Sequence, residues 1–226
     1  MDLQGKTAHP ALKICGVTRV EDVRACLELG VDFVGFNLYS GSKRYVPPAD
    51  AARLWAEGAR GHAGRGRPAA VLVDPTPELL AEAFAVFPAL EVCQFHGRET
   101  AGTLASFAAL LGPRKVWKAI GVHNQSDIAA ATVFAGHAHL VLFDSAAVPV
   151  GAKVAGGSGQ AFDWTLLAAY RGPLPFGIAG GLKPGQLASL RAYAPAVIDV
   201  CSGVETAPGI KDAACIAALI QELHVS

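Results

Sequence analysis

Charge is scarce in this chain of 226 residues. Only 17% of it is Asp, Glu, Lys or Arg, against about 25% in an average soluble domain. The charges cancel, 19 basic against 19 acidic, and no run of like charge stands out. Nucleic-acid binding needs a basic face or tail, so that class of partner is not expected. Long apolar runs are missing too: none reaches the roughly 18 residues of a membrane-spanning helix. The longest candidate, residues 128–143, holds two histidines and a glycine and runs into Asp144. The opening MDLQGKTAHPA is polar and has no signal-peptide core. The five cysteines form no CxxC pair and are odd in number. They read as free thiols in a reducing compartment, and a cytoplasmic location is expected. Internal repeats and Pro- or Ser-rich linkers are lacking as well, which leaves a single domain.

What the chain does hold is apolar material, 52% of its residues, which excludes disorder. Eight short apolar segments recur: residues 12–15, 33–36, 69–73, 91–95, 116–120, 139–143, 176–179 and 197–201. Their Val, Ile, Leu and Phe content fits parallel strands buried on both faces. Helical stretches lie between them. Thr18 with Glu21 has the spacing of a capping box, Pro47 and Pro48 suit a first helical turn, and Asn124 and Asp212 can cap later helices. Eight strands alternating with eight helices predict an α/β fold, a single-domain (β/α)8 TIM barrel over residues 12–226, preceded by an extension over 1–11. An open doubly wound sheet would favour a GxGxxG turn after the first strand; the turn here is CGVTR.

In such a barrel the chemistry gathers where strands end. Alternation turns Lys13 and Cys15 inward if Ile14 packs outward, and pairs Gln94 with His96 and Asp199 with Cys201. Asp144 follows the sixth strand and Arg44 lies in the loop after the second. A thiol, a lysine, a histidine and two carboxylates converging on one mouth make an acid–base site. Each has a structural alternative: Cys15 as a small buried hydrophobe, His96 and Asp144 as caps, Arg44 as a solvated loop charge. Cys26, Cys93 and Cys215 are expected to be buried hydrophobes. The HxH pair His137 and His139 begins its strand, at the wrong end for a barrel site, and reads as structural. Long loops at 37–47 and 144–161 follow strands and have the character of lids. Glycines at the ends of the last two strands, Gly180 and Gly181, then Gly203 beside Ser202, let backbone N–H groups approach a phosphate.

The ordered blocks KICGVTRVEDV, GSKRYV, QFHG, FDS, GGSGQAFDW, AGGL, IDVCSGVE and PGIKD run from residue 13 to residue 212. Together they resemble the phosphoribosylanthranilate isomerase family of tryptophan biosynthesis. The chain departs from it at Lys43, Phe95 and Cys201, where proline, leucine and a serine or small residue are usual. The resemblance implies an Amadori rearrangement of N-(5-phosphoribosyl)anthranilate to 1-(2-carboxyphenylamino)-1-deoxyribulose 5-phosphate. It implies Asp144 as the acid, Cys15 as the base and Arg44 as the partner of the anthranilate carboxylate. His96 and Asp199 would orient the substrate, and Gly180, Gly181, Ser202 and Gly203 would hold its phosphate. No step needs a redox cofactor or a metal, and the expected partner is the phosphosugar alone, acted on by a monomer or homodimer. A related histidine-pathway isomerase uses paired aspartates, which Cys15 argues against. A non-catalytic barrel would be expected to have lost Cys15 or Asp144.

Overall fold

The computed structural model describes residues 9–145 and 161–224. Eight parallel strands close into a barrel in sequence order: β1 (Ala11–Ile14), β2 (Phe33–Asn37), β3 (Arg67–Leu72), β4 (Val92–Phe95), β5 (Lys115–Gly121), β6 (Leu140–Asp144), β7 (Phe176–Ala179) and β8 (Val197–Val200). The pairing of β1 with β8 completes the ring, with Lys13 opposite Asp199 and Ile14 opposite Val200. All eight expected strands are present, each within two residues of its expected limits.

The period of two along each strand sorts the core into two layers. Phe33, Ala69, Val92, Trp117, Leu140, Leu142, Ala179 and Val197 point inward and fill the barrel. Phe33 packs edge-on to Trp117 at 4.7 Å between ring centroids. Leu12, Ile14, Val34, Phe36, Leu72, Phe95, Val141 and Phe143 point outward, against the helices. With both faces covered, most of the polar side chains on the strands collect at the open carboxyl end of the barrel.

The helices are α1 (Val20–Leu29), α2 (Pro48–Gly58), α3 (Pro77–Val86), α4 (Ala101–Ser106), α5 (Ala108–Leu111), α6 (Gln125–Ala130), α7 (Leu187–Leu190) and α8 (Ala213–His224). Asn124 caps α6 in a full capping box, Asp212 accepts from the first N–H groups of α8, and Pro48 is the first residue of α2, with Pro47 as its cap. The strict strand–helix alternation does not hold throughout. Among the described residues, β6 is followed by a 3-10 turn, Trp164–Ala169, in place of an α-helix.

The capping box expected at Thr18 and Glu21 does not form. Arg19 is the cap of α1 and makes no side-chain cap bond. Thr18 Oγ1 instead donates to the Gly209 carbonyl at 2.7 Å, and Glu21 pairs with Arg19. A tertiary acceptor has won over the local one. That acceptor belongs to a ribbon the sequence reading missed, β9 (Glu205–Ala207) and β10 (Ile210–Lys211), directly after β8. Asp22 of α1 fastens it further by accepting from the Lys211 N–H at 3.2 Å. Cys26 and Cys93 are fully buried, and burial pushes both thiols up to about 12. Cys215 departs from expectation: it is half-buried on the flank of α8. The loop at 37–47 closes on itself through Val46 N–H to Asn37 O and Tyr45 N–H to Ser42 O. Of the 144–161 loop, residues 146–160 lie outside the described residues.

Candidate active site

At the carboxyl end of the barrel lies a cavity of about 270 Å³. Cys15, Arg44, His96, Asp144, Gly180, Gly181, Asp199 and Ser202 line it, as the sequence reading expected, together with Gln94 and Cys201. Gly203 does not. It stands behind the wall, where a Cβ would collide with the Leu182 carbonyl, so it packs the last two loops together.

The floor is an ion pair. Lys13 Nζ donates to Asp199 Oδ2 at 2.8 Å, with both side chains buried. Gly35 on β2 makes room for it, since a Cβ there would sit 3.0 Å from Nζ. Burial works against the Lys13 ammonium, but Asp199 and Cys15 outweigh it and hold the proton more tightly than usual. Burial pushes Asp199 up to about 7, against the pull of Lys13 and with the help of Cys15 and Asp144. Asp199 Oδ1 is buried with no hydrogen-bond partner among the described residues.

Cys15 stands one layer above Lys13. Hydrogen bonding from Cys201 lowers its thiol well below the ordinary value; burial opposes this, and Lys13 and Lys211 add to it. Cys201 moves the other way, raised by its bond to Cys15 and by burial. Gly16 allows this crowding. Its φ is +71°, and a Cβ would fall 2.5 Å from Arg44 Cδ and 3.1 Å from Cys201 Sγ.

Arg44 is not a solvated loop charge. Its Nε donates to Glu205 Oε1 at 2.8 Å and its Nη2 to Oε2 at 2.6 Å, a bidentate pair. Lys211 Nζ reaches the same carboxylate at 2.7 Å. Burial alone would raise Glu205, but Arg44 and Lys211 hold it below the usual carboxylate range. Arg44 Nη1 has no hydrogen bond among the described residues, so one corner of the fork stays available. The sequence reading quoted Glu205 and Lys211 inside motifs without giving them roles. Their signal was there: two charged residues on either side of a Pro-Gly turn, just past a strand end.

On the opposite wall His96 Nε2 lies 3.3 Å from Asp144 Oδ2, and Gln94 Nε2 lies 3.1 Å from His96 Nδ1. Burial works against the imidazolium, but Asp144 outweighs it and raises the histidine. Gln94 Oε1 is a second buried acceptor without a partner among the described residues. Gly180 has φ +86°, and a Cβ there would fall 2.6 Å from Asp144 Oδ1 and 2.7 Å from Ser145 N, so the backbone after β7 passes directly over the carboxylate. His139 plays no part: its Nδ1 accepts from the Val116 N–H at 3.0 Å near the start of the strand. No group of three or more His, Cys, Asp or Glu with metal-binding geometry occurs among the described residues.

A thiol biased toward thiolate, a carboxyl beside a histidine, a cationic fork and glycine turns at the ends of the last two strands can move protons on an anionic, hydroxylated ligand. Known proteins share the arrangement's frame. The family model described as N-(5'phosphoribosyl)anthranilate (PRA) isomerase matches residues 12–222. The N-(5'-phosphoribosyl)anthranilate isomerase of Zymomonas mobilis is 37% identical over 214 residues, covering 94% of this chain and 97% of that protein. The dimeric phosphoribosylanthranilate isomerase of Thermotoga maritima, solved as generated monomers, superposes with a TM-score of 0.76 at 30% identity, covering 95% of this chain and 98% of that one. A phosphoribosyl anthranilate isomerase in complex with reduced 1-(o-carboxyphenylamino)-1-deoxyribulose 5-phosphate gives 0.74 at 29% identity, covering 94% and 97%.

Proposed function

The chain belongs to the N-(5'-phosphoribosyl)anthranilate isomerase family of tryptophan biosynthesis, and on that premise we propose how its own residues carry the aldose–ketose rearrangement. Asp144 is the acid: it protonates the furanose ring oxygen, and the ring opens to a Schiff base. Cys15 is the base: its thiolate takes the C2 proton, leaving an enolamine that tautomerises to the ketone. The observation that carries this reading is that both residues line one cavity, together with Gly180 and Gly181 after β7 and Ser202 after β8. His96, at 3.3 Å, holds the Asp144 carboxyl in place and relays charge to it.

Binding follows from what the cavity leaves unsatisfied. Asp199 Oδ1 and Gln94 Oε1 are buried acceptors that ribose hydroxyls can supply with donors. Arg44, with Nη1 uncommitted, pairs with the anthranilate carboxylate, and Glu205 aims it. Gly180, Gly181 and Ser202 present backbone N–H groups to the phosphate, and Gly203 sets the spacing of the two loops. No described helix is long and apolar enough to cross a membrane. Five free thiols fit a cytoplasmic enzyme, acting as a monomer or homodimer.

The test is a fluorescence assay following consumption of freshly generated phosphoribosylanthranilate. Cys15→Ser and Asp144→Asn should each lose at least ~100-fold in kcat, the usual scale for removing a general acid or base, with unchanged circular dichroism. Near-full turnover by either would remove its assigned role.

A further inference from the structure

Two sulfurs meet at the mouth of the barrel. The β1–β8 ladder pairs Lys13 with Asp199 and Ile14 with Val200, and the Cys15 N–H donates to the Val200 carbonyl at 2.9 Å. The register thus brings Cys15 alongside Cys201 on the inner face. Adjoining parallel strands lie about 4.8 Å apart, which puts the two thiols within reach of each other. Both line the cavity, and the proton affinity of each thiol is set chiefly by the other, lowered at Cys15 and raised at Cys201. From the ribbon side Lys211 Nζ stands 3.9 Å from Cys201 Sγ and 3.3 Å from the Cys201 carbonyl oxygen.

The charges facing the pair are uneven. Below it Lys13 pairs with Asp199, and across the cavity His96 Nε2 lies 3.3 Å from Asp144 Oδ2. Beside it two cations, Arg44 and Lys211, share the single carboxylate of Glu205. Among the described residues of this ribbon side one positive charge is left over next to the sulfurs, and one thiolate matches it. The buried Lys13 ammonium favours a thiolate at Cys15, so the charge settles on Cys15 with Cys201 as a neutral donor.

We propose that Cys201 is a positioning residue for the isomerisation: its S–H donates to the Cys15 sulfur and keeps Cys15 available as the proton acceptor. The inference rests on Cys15 being the base. In the step itself the substrate C2–H bond breaks and a Cys15 S–H bond forms. The C–H electron pair becomes the C1–C2 double bond of the enolamine, the C=N pair of the protonated Schiff base moves onto its nitrogen, and Cys201 keeps its own proton throughout. A serine hydroxyl is a donor of similar size, so it is the natural substitute.

The experiment is alkylation by iodoacetamide across a pH series on the folded enzyme, read by mass spectrometry on the tryptic peptide Ile14–Arg19. In the parent enzyme Cys15 should titrate below the ordinary thiol value of about 8.5. Cys201→Ala should move that transition up by about one pH unit, a roughly tenfold slower alkylation at a fixed pH below it. Cys201→Val, which fills the space an alanine would leave empty, is a second donor-free variant should the alanine fold poorly. Cys201→Ser should stay close to the parent, and the acid limb of kcat/KM should follow the same order. Superimposed profiles for parent and donor-free variants would overturn the proposal. So would a serine variant displaced as far as the alanine, or a low transition found on Cys201 in place of Cys15. If Cys15→Ser still turns over, the base assignment fails whatever the alkylation shows. If it is dead and the profiles coincide, only the role of Cys201 fails.

Discussion

Glu205 offers a severe check on the electrostatics of the mouth. Its carboxylate accepts from Arg44 Nε and Nη2, from Lys211 Nζ and from the Gly209 N–H. Glu205→Gln keeps the shape but turns an amide NH₂ toward one of two cations and leaves both without a counter-charge. Removing one partner of a buried pair costs about 3–5 kcal/mol. Lys211 is 1% exposed, so its share of that cost is full; Arg44 is 22% exposed, so its share is reduced by solvent. A total near ~3 kcal/mol, at about 2–4 °C per kcal/mol for a chain of this length, lowers Tm by roughly 6–12 °C at pH 7. The pH dependence gives a second arm. Arg44 and Lys211 hold Glu205 below its unfolded value despite burial, so the contribution is present above about pH 4.3 and is lost as pH falls through the folded value. The gap between parent and variant should be widest near neutrality and close on acidification. Thermal melts followed by circular dichroism at stepped pH measure both. A Tm loss under about 2 °C at pH 7, or a gap that stays constant into acid, would refute the reasoning.

Arg44→Ala should act mainly on binding, raising KM by about 10–100-fold, the scale of one charge-assisted hydrogen bond, with a smaller effect on kcat; an unchanged KM in the steady-state assay removes the carboxylate contact. Gly180→Ala combines about 1–2 kcal/mol of left-handed strain with a Cβ pressed against Asp144 and Ser145. It should cost at least ~10-fold in kcat with native circular dichroism, and full activity would show that the turn after β7 does not hold the acid in place.

Much of this molecule was legible along the chain because strands buried on both faces carry a local signal. Runs such as AVL and LVLF announce themselves by composition, and the inward set Lys13, Cys15, His96, Asp199 and Cys201 follows from a period of two once one outward residue is known. Asn124 and Asp212 were legible as caps because each satisfies N–H groups two or three residues away. Thr18 was misread for the opposite reason: its hydroxyl reaches Gly209, about 190 residues further on, and no local pattern reports such a partner. Lys118 shows the same limit. On the outward face of β5 it is buried at 2.9 Å from Glu99, in an ion pair the spacing does not advertise.

By itself, then, the order of residues determined the barrel, the end at which its polar groups collect and the identities of the thiol, carboxyl, histidine and glycine turns. Those are consequences of burial and periodicity, which act over a few residues. What only the folded chain decided is the state of those groups. The ribbon, tied down by Thr18 and Asp22, brings Glu205 and Lys211 against Arg44 and Cys201. Closure of β1 on β8 sets Lys13 on Asp199 and Cys15 beside Cys201. Proton affinities and the aim of a guanidinium depend on which charges lie within a few ångströms, and here such partners as Lys13 and Asp199 lie 186 positions apart in the chain.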